Sequence, residues 1–420
     1  MEENRILTSI EQGMELFNSC AHSLNVVIIS RIKGNLTKNI LRKSLDLLQY
    51  RHPRLGSHIV YSSNSLKFET QGTQAIPLQV LINSEPNFWQ TVVVHELNTG
   101  FQSSQVLLRA ILIKQIENIQ QNYLITTIHH AIIDALCGVH LHSEILQCCQ
   151  KLALGQEITN FPRLSVLPSL ENLIANREKK NPELQKPIQE IYTLPIERFV
   201  PHQERQCRLT YQQIETRLTN KIIKSCKDKQ TTVHGAICAA MMLALADQID
   251  RKDKDFYFSC RSSVDMRKRI TPPISHENLA VMVSALTSFH SLSETTAFWD
   301  LAKKVSQQIK DRLETEEIYN VILNYKKGAE YLLESLDLTR FSIFVTNIGK
   351  VGIASNYEPL ELEAISYALS TTVMGSVFGV AVSTFQDKMS LNFIWAKPLI
   401  NQEKIESLIS KTISYLSNYC

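Results

Sequence analysis

Leu24–Gly34, LNVVIISRIKG, is a β-branched and apolar run, which predicts a buried strand. Asn35 or Thr37 can cap the helix that follows, in which Ile40, Leu41, Ser44, Leu45 and Leu48 share one face. RHPRLGS ends that helix, because Pro53 cannot continue it and disfavours the helical region for its predecessor. HIVYSSNSLKFET then reads as a hairpin. QVLLRAILIKQIENIQQNYLITTIHH reads as two strands turning near Asn118–Asn122, with a helix from about Asp134 to Leu152. Residues 162–206 change texture: NREKKNPELQKPIQE is charged, and Pro182, Pro187, Pro195 and Pro201 interrupt it, so a linker or crossover is expected.

A second layout follows. CRLTYQQIETRL is strand-like, and Thr231 or Thr232 caps VHGAICAAMMLALADQI, whose apolar character all round predicts a buried helix. DFYFSC, LAVMVSALTSF, FSIFVTNIG, LEAISYAL, SVFGVAVSTF and MSLNFIW are further strands. After Pro398, Asn401 caps a helix with Ile405, Leu408, Ile409, Ile413 and Leu416 on one face. Strand, short turn and helix thus recur at both ends, a weak repeat in pattern and not in residues. The C-terminal counterpart of the histidine pair is WAKP, which lacks its chemistry, so one site is expected.

Composition narrows the functional classes. The chain has 420 residues, 44% hydrophobic and 20% charged, with 44 basic against 41 acidic side chains. That length suits two or three domains, and the near-neutral balance offers no basic stripe for nucleic acid. Apolar runs such as Val373–Val382 fall short of the roughly 18 residues a membrane span needs. MEENRILTSIEQGMEL is acidic and amphipathic, unlike a signal peptide. Nine scattered cysteines without a CxxC pair read as reduced, cytosolic thiols. A soluble cytoplasmic protein is expected.

The densest chemistry is YLITTIHHAIIDALCGVHLHSEI, which carries His129, His130, Asp134, His140 and His142. One reading is catalytic: an imidazole titrates near neutrality, and a carboxylate orients it or locks its loop. A metal reading fits poorly, because the spacing matches no common zinc site and residues two apart on a helix diverge. The plain alternative is a pair of strand-end histidines satisfied by backbone.

The order HHxxxD at His129–Asp134, RHPRL at Arg51–Leu55, VDMRKRITPPI at Val264–Ile274 and VTNIGKV at Val345–Val351 resembles the chloramphenicol acetyltransferase-like superfamily. That group includes condensation domains of nonribosomal peptide synthetases, BAHD acyltransferases, alcohol O-acetyltransferases and polyketide-associated acyltransferases, and the likeness is nearest to the last two. Two departures stand out. Ala135 replaces the usual glycine, with Gly138 the next available. The DFGWG motif of BAHD enzymes is absent, SVFGVAV standing in its place.

The resemblance implies an α/β fold with mixed sheets, two αβα subdomains forming a pseudo-dimer around a central channel. The expected boundaries are 1–175 for the subdomain carrying HHxxxD, 176–206 for the linker and 207–420 for the second subdomain. It implies an acyltransferase with His130 as general base and His129 packed or hydrogen-bonded beneath it. Asp134 would pair with Arg267, or failing that Arg261. Asn347 or nearby N–H groups would serve the oxyanion, and Gly349 would allow close backbone approach. His140 and His142 become helix-face residues. No metal or resident cofactor is expected; acyl-CoA or a phosphopantetheinyl carrier protein is the co-substrate and an alcohol, or an amine, the acceptor. Lys252–Lys254 or Arg267–Arg269 could meet CoA phosphates. A stand-alone enzyme without an attached carrier domain, and a monomer, are expected. An amide-forming condensation enzyme and a non-catalytic protein of the same fold are the alternatives.

Overall fold

The computed structural model describes residues 3–62, 65–83, 85–115, 120–159, 161–175, 190–249, 254–335, 339–373 and 378–420. Most of the expected linker, 176–189, and Lys252 of the basic cluster lie outside them. The first half comprises β1 (Arg5–Ile6), α1 (Ser9–Ala21), β2 (Asn25–Lys33), α2 (Lys38–Arg51), β3 (His58–Ser62), β4 (Ser65–Glu69), β5 (Leu78–Asn83), α3 (Phe88–Leu97), β6 (Leu108–Gln115), β7 (Gln121–His129), α4 (Ala135–Ala153) and α5 (Leu170–Leu173). The second comprises β8 (Gln206–Ile214), α6 (Thr216–Asp228), α7 (Val233–Ala246), β9 (Phe256–Asp265), β10 (Val283–Leu292), α8 (Phe298–Leu313), α9 (Glu317–Leu323), α10 (Tyr325–Glu334), β11 (Ile343–Lys350), β12 (Asn356–Tyr357), β13 (Leu360–Leu369), β14 (Phe378–Phe385), β15 (Lys388–Lys397) and α11 (Gln402–Tyr419).

Side chains cap four of the helices, three of them at positions the sequence offered as caps and the fourth at Asp134, where a helix start was expected. Thr37 accepts from the Ile40 N–H at 3.3 Å, Asp134 from Cys137 at 3.1 Å, Thr232 from Gly235 at 2.9 Å and Asn401 from Lys404 at 2.8 Å. Each satisfies a donor that a helix N-terminus would otherwise leave open. Helix α7 is buried almost all round, as its small apolar residues predict.

Two six-stranded mixed sheets form the frame, ordered β12-β13-β2-β7-β6-β5 and β10-β9-β11-β14-β15-β8. A small sheet, β1-β4-β3, flanks the first. Strand β13 belongs to the second half of the sequence yet pairs antiparallel with β2 in the first sheet, Leu369 facing Val26. It also ties the sheets together: the Tyr367 hydroxyl donates to the Thr346 carbonyl at 2.9 Å, and Asn392 Nδ2 to the Tyr367 carbonyl at 2.9 Å. The halves therefore share one packed boundary, and the core around β2 and β7 includes Phe344, Ala381 and Ile394 from the second half. Among the described residues, no helix is long and apolar enough to cross a membrane.

Candidate active site

Strand β7 lies in the middle of its sheet, which is why its residues are buried on both faces. It ends opposite Asn25 at His129, and the chain then turns through His130–Ile133 into α4. The Ile132 N–H closes that turn on the His129 carbonyl at 3.1 Å.

His130 is partly exposed. Its Nδ1 lies 2.6 Å from the Ile133 carbonyl oxygen. A carbonyl only accepts, so Nδ1 carries the proton and the lone pair of the neutral ring sits on Nε2. Burial pulls the His130 pKa below the ordinary histidine value, against the opposing pull of the Ile133 carbonyl and Asp134. The ring is therefore neutral at pH 7, with a base at Nε2.

His129 is buried, and its Nδ1 accepts the Ala131 N–H at 3.1 Å. Its ring edge meets Phe101, with 5.7 Å between centroids.

Asp134 caps α4 through Oδ1 and uses Oδ2 across the molecule. There it accepts from Arg267 Nη2 at 2.7 Å and from the Met282 N–H at 3.0 Å. Burial pushes its pKa up, but the Arg267 guanidinium and these donors outweigh that and hold it below the usual carboxylate range. Arg267 is 1% exposed and also reaches Asp265 at 2.9 Å and Cys137 Sγ at 2.7 Å. Its charge is stabilised in turn by Asp134, against the cost of burial. Burial and the neighbouring Asp134 push the Cys137 thiol up to about 12, so it sits there as a neutral, inert group. This buried pair clamps the loop of His130 to the second half of the chain.

Several sequence expectations are corrected here. Arg261 does not share Asp134 with Arg267: its Nη1 donates to Thr287 at 3.0 Å and its guanidinium lies over Phe341. Arg267 is not free for phosphate, because it is enclosed and paired; Lys268 and Arg269 remain exposed. Gly349 is not a point of close approach, since nothing lies within 4 Å of where a Cβ would stand. It is required by φ of +71°, a left-handed conformation. Asn347 Oδ1 accepts the Gly349 N–H at 2.8 Å, which leaves Nδ2 as its donor group. The close approach occurs at Gly138 instead, where a Cβ would come within 2.6 Å of the Ile28 side chain. A larger residue there would force the Ile28 side chain to shift where α4 packs on β2.

His140 and His142 diverge. His140 is partly exposed and stacks on His276, with 4.9 Å between centroids. His142 lies on the inner face of α4, fully buried between Ser30 and Thr126, each hydroxyl 2.7 Å from one ring nitrogen. Burial drops its pKa to about 3, and neither nitrogen is open to a metal. Of the RHPRL residues, Arg54 is buried over the Phe68 ring and donates to the Glu3 carbonyl at 2.8 Å, while Arg51 donates to the Pro162 carbonyl at 3.0 Å. Both brace the first subdomain. Cys137 and Met282 were not singled out by sequence; both are ordinary apolar residues until the fold brings Arg267 and Asp134 to them.

Residues 203–394 match the family model of the phthiocerol/phthiodiolone dimycocerosyl transferase C-terminus. No curated protein sequence matches the chain. Among solved structures, polyketide synthase associated protein 5 from Mycobacterium tuberculosis superposes with a TM-score of 0.70 at 16% identity, over 99% of this chain and 100% of that one. The trichothecene 15-O-acetyltransferase of Fusarium sporotrichioides gives 0.75 at 11%, over 99% and 95%. The first condensation domain of the CDA synthetase gives 0.72 at 10%, over 99% and 96%. The chain thus has the chloramphenicol acetyltransferase-like, condensation-domain fold over almost its whole length, with a second half that matches the dimycocerosyl transferase C-terminus.

Proposed function

We propose that the protein is an acyltransferase that moves an acyl group from a thioester, acyl-CoA or an acyl-carrier protein, to a hydroxyl, forming an ester. The observation that carries this reading is His130: a neutral imidazole with Nδ1–H fixed on the Ile133 carbonyl and Nε2 left as the base. Nε2 takes the acceptor's hydroxyl proton as its oxygen attacks the thioester carbonyl. The tetrahedral intermediate carries an oxyanion, which an N–H donor such as Asn347 Nδ2 stabilises, an interaction worth about 3–4 kcal/mol. The intermediate collapses by C–S cleavage, and the imidazolium returns the proton to the departing thiolate. Asp134 and Arg267 hold the loop and take no proton.

The match to a dimycocerosyl transferase family and the likeness to two acyl-transfer or polyketide-associated structures support a hydroxyl acceptor. The likeness to a condensation domain supports an amine acceptor as the second reading. The test incubates the purified chain with acyl-CoA and acyl-carrier thioesters and a panel of alcohols and amines, with products identified by mass spectrometry. Ester formation is expected. Amide formation alone selects the second reading, and a folded protein inert towards every pair overturns both. The lowered pKa of His130 sets the sign of the pH response: kcat/KM is flat around neutrality and falls only at pH values below the ordinary histidine range, as Nε2 is protonated.

A further inference from the structure

Beneath the histidine pair, α1 presents a buried acid that the reaction scheme does not use. Glu15 lies on the inner face of α1 beside Met14 and Asn18, and is 8% exposed. Its Oε1 accepts from Ser103 Oγ at 2.8 Å, and Asn18 Nδ2 donates to Oε2 at 3.4 Å. Oε2 also lies 2.8 Å from His129 Nε2, the nearest acceptor to a nitrogen that makes no other hydrogen bond, though too far out of line to count as one itself. Because the Ala131 N–H donates to Nδ1 of that ring, the proton of the neutral His129 imidazole is on Nε2, the nitrogen that faces Glu15.

We propose that Glu15 is a positioning residue for His130, acting through His129. The carboxylate holds the His129 proton on Nε2, and this keeps Nδ1 as an acceptor. Nδ1 in turn holds the Ala131 N–H and so the backbone on which His130 sits. With that backbone in place, His130 Nδ1 meets the Ile133 carbonyl and Nε2 is the base. The chain of contacts runs from α1 to the reacting nitrogen without touching substrate. It is the orienting arrangement of a carboxylate behind a histidine, displaced by one residue from the base it serves. Asp134 has no part in it, because both of its oxygens are engaged by α4 and the second half of the chain.

The proposal rests on His130 as the base, and its test separates the two. Histidine ring tautomers are read by 15N NMR on the full chain. The expected result is Nε2–H at His129 and Nδ1–H at His130. In Glu15→Leu both become mixtures, and kcat falls on the order of 10²-fold, as for a misplaced reacting group, with KM changed less than twofold. Glu15→Gln keeps a carbonyl acceptor and recovers most of that loss. Wild-type His129 protonated on Nδ1 overturns the proposal, and so does a folded Glu15→Leu with both tautomers and kcat unchanged. If Glu15→Leu does not fold, the wild-type tautomers and the Gln variant decide. Lack of turnover in the wild type would remove His130 as the base while leaving the tautomer result to stand for Glu15.

Discussion

The turn from β7 into α4 and the turn from β15 into α11 are built alike and used differently. Each follows a buried strand flanked by neighbours on both sides, and each helix is capped by a side chain, Asp134 or Asn401. Asn401 is exposed, and its remaining contacts go to Glu197 at 3.1 Å on the surface. Asp134 is buried, and its second oxygen holds Arg267 and the Met282 N–H. One turn then carries His129 and His130 where the other carries Ala396 and Lys397. Further along, at the same distance from the two caps, stand a buried His142 and a buried Ile409. Capping is thus a local device common to both turns. What distinguishes the first is buried polarity, which costs stability unless every group is paired and which places a base on a loop held from both halves.

The largest effect that breaks this comparison falls on the buried cap. Asp134→Ala removes the buried partner of Arg267, leaving only the more exposed Asp265, and also removes the α4 cap and the acceptor of the Met282 N–H, so it should lower stability by about 3–5 kcal/mol, read as a shift of the urea midpoint. A smaller effect separates His142 from Ile409. His142 folds as a neutral ring with a pKa of about 3, while an unfolded histidine titrates near 6.5. The unfolded state therefore binds the extra proton, and stability is full above pH 6.5 and declines as the pH falls towards 3. Between pH 7.5 and 5 this one group should remove about 2 kcal/mol. His142→Gln, which keeps polar contacts but does not titrate, should lose that much less over the same range. The smallest effect is at the surface cap: Asn401→Ala should cost about 1 kcal/mol, and a cost as large as that of Asp134→Ala would erase the distinction between the turns.

Local pattern was legible where one rule dominated. β-Branched runs marked β2 and β7, and the polar residues at 37, 134, 232 and 401 marked four helix starts. The strand LEAISYAL was legible, but its destination was not. A buried run can pair with either sheet; here β13 forms its ladder with β2 while its Tyr367 bonds to Thr346 and Asn392 of the other sheet, a long-range choice that no local pattern records. CRLTYQQIETRL read as one strand-like piece, whereas the chain leaves β8 at Ile214 and begins α6 at Thr216, since Thr219 bonds back to the Ile214 carbonyl and tightens the turn. In the site, the pairing of Asp134 with Arg267 came from the family resemblance and not from spacing, because 133 residues separate the partners. Glu15 was missed. Its signal was an acid on the apolar side of an amphipathic helix, with Glu11 one turn before it, and nothing local names a histidine as the partner. The helix-face reading of His142 did not say which face, because an outward and an inward histidine look alike until Ser30 and Thr126 are brought to it.

The central claim is that Nε2 of His130 takes the acceptor's proton. The most direct measurement compares steady-state acyl transfer by the wild-type chain and by His130→Ala, on one thioester and one alcohol, with matching urea midpoints to show both are folded. The account predicts a loss of about 10²–10⁴ in kcat for the variant. Turnover by a folded His130→Ala within a few-fold of wild type would contradict it.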